Sequence, residues 1–125
     1  MKPLRLPETQ FTPEVNLEKN RSRFEFYGKS YPERPDEFFR PIVEWFSEYA
    51  QNPNRETIVL FKLDYFNTTT SKRLIDIFRI LWEIHKQKRT VIVQWYYRTG
   101  DEDLYEAGET FSEIVGIPFK LIPYN

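Results

Sequence analysis

Cysteine is absent from this sequence. That absence excludes disulfide scaffolds, thiolate zinc sites, iron–sulfur clusters and thiol nucleophiles. Histidine occurs once, as His85 late in a helical pattern between Ile84 and Lys86, so no metal site or catalytic triad can be assembled from repeated histidines. The four glycines, Gly28, Gly100, Gly108 and Gly116, are scattered singly. No glycine-rich phosphate loop exists, and nucleotide hydrolysis lacks its machinery. Net charge is also small, -1 with a pI near 5.9, leaving no global field to gather nucleic acid or anionic lipid. No apolar run reaches the length of a membrane span, and Met1 to Glu8 lacks the apolar stretch of a signal peptide. A cytoplasmic protein without nucleic-acid or membrane partners is expected.

Rings are what the chain has in abundance. Aromatic residues make up 18% of it against a charged fraction of 30%, which predicts a ring-rich core under a well-solvated surface. At 125 residues one core is expected, hence a single domain over 1–125.

Leu4 and Leu6, in a proline-containing start, fit an edge strand or a tail over residues 1–10. From Pro13 to Gly28, Val15 and Leu17 alternate with polar neighbours, Asn20 suits a turn, and Phe24 and Phe26 follow, which predicts a β-hairpin. Phe38, Phe39, Ile42, Val43, Trp45, Phe46 and Tyr49 then draw a helical stripe. Pro41 predicts that this helix starts later than Asp36 or kinks after its first turn. The near-continuous apolar run Thr57 to Phe66 reads as a central strand covered on both faces. A helix marked by Leu74, Ile77, Phe78, Leu81 and Ile84 should run to about Lys88, and Thr90 to Tyr97 is a second β-branched strand, completing a βαβ unit. Thr99 and Glu102 have the spacing of a capping box that opens an acidic helix. Gly116 should end that helix, and Pro118 to Tyr124 can add an edge strand. The expected fold class is α/β, a mixed sheet of an N-terminal antiparallel hairpin and central parallel strands, packed with three helices.

The segment Tyr65-Phe66-Asn67-Thr68-Thr69-Thr70-Ser71-Lys72 falls where the central strand leaves the sheet and a helix begins. Carboxyl ends of strands in open α/β sheets border a binding crevice, and helix N-termini expose amides that favour anions. A phosphate on Thr68, Thr69, Thr70 or Ser71 would be accommodated by those amides and by Lys72, changing the local charge by about -1.5 to -2. The plainer alternative is that one hydroxyl only caps the helix, contributing roughly 1 kcal/mol. A third is a small-ligand or enzymatic crevice using Asp64 and Lys72.

The run LFKLDYFNTTTSKRLIDIF, followed by VIVQWYYRTGDEDLYEAGETFSEIVGIPF, resembles the SiaC family of bacterial regulatory phosphoproteins. TPEVNLE and RFEFYGKSYPERPDEFF fit upstream in the same order, so the resemblance spans nearly the whole chain. Its specific part is the Tyr-x-Asn-Thr motif formed by Tyr65, Asn67 and Thr68. The resemblance implies a small STAS-like domain, akin to anti-sigma-factor antagonists, with Thr68 in the position of the phosphothreonine. It further implies a partner switch without catalysis or cofactor of its own: a Ser/Thr kinase modifies the domain, a metal-dependent Ser/Thr phosphatase reverses this, and the unmodified form binds an effector. In characterised systems of this kind the effector is a diguanylate cyclase.

Other clusters carry plainer readings. Asp101, Glu102, Asp103, Glu106 and Glu109 could hold a hard cation, but carboxylates are already favoured at a helix N-terminus. Trp95, Tyr96 and Tyr97 could form a base-stacking platform, but the basic residues around them are few, which favours core rings and a partner surface.

Overall fold

The computed structural model describes residues 1–125. Leu4 and Leu6 form a strand rather than a tail: β1 (Leu4–Leu6) pairs antiparallel with β2 (Glu14–Glu18), and β2 with β3 (Arg23–Ser30). The expected hairpin is therefore present with one extra edge strand. From β3 the chain enters α1 (Pro35–Tyr49), which starts earlier than Pro41 suggested and runs through it. Pro35 explains the early start, because its fixed φ suits the first helical turn. Pro41 is tolerated because it and Glu37 are both exposed, so the carbonyl left without a donor can be solvated.

The remaining elements alternate: β4 (Glu56–Phe66), α2 (Thr68–His85), β5 (Thr90–Arg98), α3 (Glu102–Val115) and β6 (Phe119–Tyr124). Strands β3 to β6 are parallel and the six-stranded sheet has the order β1-β2-β3-β4-β5-β6. This is the mixed α/β sheet with three helices that the patterning implied. Helix α2 stops at His85, short of Lys88, whose φ of 64° turns the chain back towards β5. The expected Thr99–Glu102 capping box does not form. Asp101 is the cap, accepting from the Leu104 amide at 3.0 Å, because the Thr99 hydroxyl is drawn to the Tyr124 carbonyl of β6 at 3.2 Å. Gly116, at a φ of 72°, closes α3 as anticipated.

Strand β4 departs from expectation in a way that shapes the molecule. Thr57, Val59, Phe61 and Leu63 are buried, whereas Ile58, Leu60 and Lys62 are only partly covered. A consecutive strand order with right-handed crossovers places every connecting helix on the same face. The rings confirm it: Phe24 meets Trp45 and Phe46 of α1, Phe61 meets Phe78 of α2, and Trp95 meets Phe111 of α3. The strand's apolar run thus reflects one buried face and one open face that is still partly apolar.

Helix α3 sits especially close to the sheet. A side-chain carbon at Gly108 would lie 2.6 Å from Trp95 Cδ1 and 2.7 Å from Leu121 Cδ2, while the Trp95 indole N–H donates to the Leu104 carbonyl at 2.9 Å. Trp95 is therefore pinned and cannot yield. Gly108→Ala is expected to cost about 1–3 kcal/mol through overpacking, against a gain of about 1 kcal/mol in helix propensity. Urea unfolding should show a lower midpoint at unchanged slope; an unchanged midpoint would mean that α3 can move off the sheet.

Candidate functional site

The carboxyl edge of the sheet is organised by a bulge at the end of β4. Gly28 pairs with Leu63 but Lys29 pairs with Tyr65, so Asp64 is an extra residue in β4 opposite the Gly28–Lys29 step. Gly28 there has a φ of 109°, a conformation open to glycine at little cost. A bulge re-aims the side chains after it. Tyr65 consequently points outward, 53% exposed, and Phe66 turns in to pack on Trp95 and Phe111.

Asn67, in extended backbone, then caps α2. Its side-chain oxygen accepts from the Thr70 amide at 3.0 Å, and its own amide donates to the Ser30 carbonyl at 3.1 Å. The reading in which a hydroxyl caps the helix is thereby corrected: asparagine is at least as good a cap, and it comes first in the chain. Released from capping, the hydroxyls differ sharply. Thr70 is fully buried, donating to the Ser30 carbonyl at 3.0 Å and sharing a 2.8 Å hydrogen bond with the Ser30 hydroxyl. Thr69 is exposed, but its hydroxyl donates to Asn67 Oδ1 at 2.9 Å. Ser71 is half-buried. Thr68, the first helical residue, is exposed and its hydroxyl engages no protein partner. The amides of Thr68 and Thr69 lie in the first turn, where no intrahelical acceptor exists.

Around this helix start are two shallow depressions separated by Tyr65. One is lined by Lys29, Tyr31, Tyr65 and Asn67. Its two rings lie 5.9 Å apart, and Phe11 packs on Tyr31 from behind at 5.4 Å. The other brings together Asp64, Asp101 and Asp103 with Phe66 and Leu104. Lys72 is exposed one turn beyond Thr68 and forms no ion pair within the chain.

The fold bears on the alternative readings of this part of the chain. Asp64 and Lys72 do not meet: Asp64 pairs with Arg98 at 3.5 Å and accepts from the Tyr124 hydroxyl at 3.1 Å. Burial, and then that hydrogen bond, push the Tyr124 phenol above its ordinary range. The acidic residues at the start of α3 form no cluster suited to a metal ion. Trp95, Tyr96 and Tyr97 form no platform: alternation sends Tyr96 to the opposite face, beside Tyr124, while on the helix-covered face Trp95 is buried in the core and Tyr97 lies beside Tyr105. His85 remains alone, with a buried Nδ1 that has no partner. Sequence reasoning missed Lys29, Ser30 and Tyr31. Gly28 inside a strand was the available signal, since such a glycine often marks a bulge.

No helix is long and apolar enough to cross a membrane. The fold and this edge define a small α/β module with a capped helix start on which one hydroxyl is both exposed and without a hydrogen bond. Residues 6–124 match the family model of SiaC family regulatory phosphoproteins, and the chain belongs to that family. An uncharacterised protein of Pseudomonas aeruginosa (strain UCBPP-PA14) is 31% identical over 121 residues, 97% of this chain and 96% of that one. The crystal structure of apo-SiaC from Pseudomonas aeruginosa superposes with a TM-score of 0.88 at 30% identity, covering 98% of this chain and 99% of the other. A chain in the crystal structure of diguanylate cyclase SiaD in complex with its activator SiaC, from the same organism, gives 0.91 at 30% identity, covering 97% and 99%.

The different bonding of these neighbouring side chains predicts different energetic costs. Thr70→Val, which keeps the shape but removes the hydroxyl, should cost about 1–3 kcal/mol by stranding the buried Ser30 hydroxyl. Asn67→Ala should cost about 1 kcal/mol, and Thr68→Val should stay within about 0.5 kcal/mol. Denaturant melts of the three variants rank them, and a Thr68 variant as costly as the Thr70 variant would contradict this hydrogen-bond assignment.

Proposed function

We propose that this chain is a phosphorylation-controlled regulator that binds a diguanylate cyclase when Thr68 is unmodified and releases it when Thr68 carries phosphate. A Ser/Thr kinase and a metal-dependent Ser/Thr phosphatase set the balance in the cytoplasm, and the chain itself catalyses nothing. One observation carries the choice of residue: of the hydroxyls of Thr68, Thr69, Thr70 and Ser71, only that of Thr68 is both exposed and free of protein hydrogen bonds. The identity of the effector rests on the relative SiaC, which is an activator of the diguanylate cyclase SiaD.

The chemistry of the helix start suits the switch. Phosphate there would find the free amides of the first turn and the helix dipole, with Lys72 one turn away. It would change local charge by about -1.5 to -2, and nothing buried need move, because Thr68 supports no buried contact. Tyr65 and Asn67 flank the residue and belong to the surface that a partner reads.

Pull-downs from the native host with wild type, Thr68→Ala and Thr68→Asp test this, together with phosphopeptide mapping of the wild-type chain. Wild type and Thr68→Ala should recover a diguanylate cyclase, Thr68→Asp should recover little, and phosphate should map to Thr68. Equal recovery by all three, or phosphate confined to another residue, would overturn the proposal.

A further inference from the structure

We infer that Lys29, beside the Tyr31–Tyr65 pair, is the seat for a carboxylate of the effector, and that phosphate on Thr68 expels the effector by competing for this cationic ground. The inference rests on the switch proposed above and specifies how it acts. It begins with the two depressions that meet at Tyr65. The one reaching Asn67 contains a cation, two phenol rings and an amide, and no carboxylate. The one beyond Tyr65 contains three carboxylates and no cation. The two linings therefore differ in sign, and the complement of the one that reaches Asn67 is an acid.

Lys29 is also uncommitted. The cations Arg73 of α2 and Arg98 of β5 are each paired with a carboxylate of this chain, at 3.3 and 3.5 Å. Lys29 and Lys72 have no such partner and are exposed. The bulge that turns Tyr65 outward places that ring next to Lys29, its cross-strand neighbour. Here an exposed Tyr65 and a half-buried Tyr31 stand next to a free cation, the rings offering a partner apolar area and the charge offering register. The partner chemistry that fits is an acidic segment with an apolar or aromatic side chain to lie against Tyr31 and Tyr65.

Thr68 adjoins this ground on both sides. Asn67, the preceding residue, lines the Lys29 depression, and Lys72 stands at the i+4 position, with roughly 5–6 Å between the Cβ atoms. A phosphate held between them neutralises the cations and repels an incoming carboxylate at distances below the Debye length of about 8 Å. Release is then electrostatic competition. A purely steric block would act without regard to Lys29.

A double-mutant cycle separates these mechanisms, using the full chain and the diguanylate cyclase recovered in the pull-down. Binding constants are measured for wild type, Lys29→Gln, Thr68→Asp and the double variant, with Lys88→Gln as a remote charge control. Lys29→Gln and Thr68→Asp are each expected to weaken binding by about tenfold. The double variant should be no more than about threefold weaker than the worse single variant, because both remove the same attraction. Lys29→Gln should also flatten the salt dependence, and Lys88→Gln should bind as wild type. Full additivity of the two effects, or wild-type binding by Lys29→Gln while Thr68→Asp still fails, overturns the competition and leaves the switch standing. Wild-type binding by Thr68→Asp overturns the switch itself.

Discussion

A row of rings across one face of the sheet is the constraint on which the rest of the molecule depends. Phe26 stacks on Phe61 at 4.5 Å, and Phe61 lies 5.8 Å from Trp95, spanning β3, β4 and β5. Each helix is seated on this row by a ring of its own: Phe46 for α1, Phe78 for α2 and Phe111 for α3. Aromatic pairs favour particular offsets and tilts, so the row specifies where the helices lie as well as burying area. Because every crossover has the same hand, all of this packing is spent on one face. The carboxyl edge, where α2 starts, is placed by that packing.

From the seated helix the site follows by short-range chemistry. The buried Thr70 and Ser30 hydroxyls, together with the Asn67 cap, tie the first turn of α2 to the end of β3. Leaving either buried group unpaired would be costly, so this turn is held more firmly than an ordinary helix end, which frays. Thr68 sits on the outer side of that fixed turn with its hydroxyl unengaged. A position of this kind can gain a large charge while the core stays as it is, which is the physical requirement for a switch read by a partner rather than by the fold. The bulge at Asp64 brings Tyr65 to the surface beside this turn.

Much of this architecture was legible in the sequence because it depends on periodicity. The 3.6-residue stripe of Leu74, Ile77, Phe78, Leu81 and Ile84, and the β-branched runs of β4 and β5, reported their elements directly, since burial of one face imposes the period. The resemblance carried by Tyr65, Asn67 and Thr68 identified the family. Local rules that ignore the third dimension fared worse. Pro41 was read as a boundary or a kink although it stands on the solvent side of α1. Thr99 was read as a cap although β6 claims its hydroxyl. Asp64 and Lys72 are offered by the sequence as an alternative ligand crevice, yet Asp64 serves Arg98 of β5 and Tyr124 of β6.

The sequence by itself determined the α/β class, the order of elements and a cluster of hydroxyls at a helix start, because hydrophobic spacing and turn chemistry are local properties that survive without a partner. Only the tertiary structure decided which hydroxyl is free. Thr68, Thr69, Thr70 and Ser71 are chemically almost interchangeable along the chain, and what distinguishes them is Ser30, forty positions before Thr70, which arrives from another strand to take one hydroxyl into the core. The same holds for the acidic and basic sides of Tyr65. Their separation arises from strand order and one inserted residue, neither of which leaves a periodic trace.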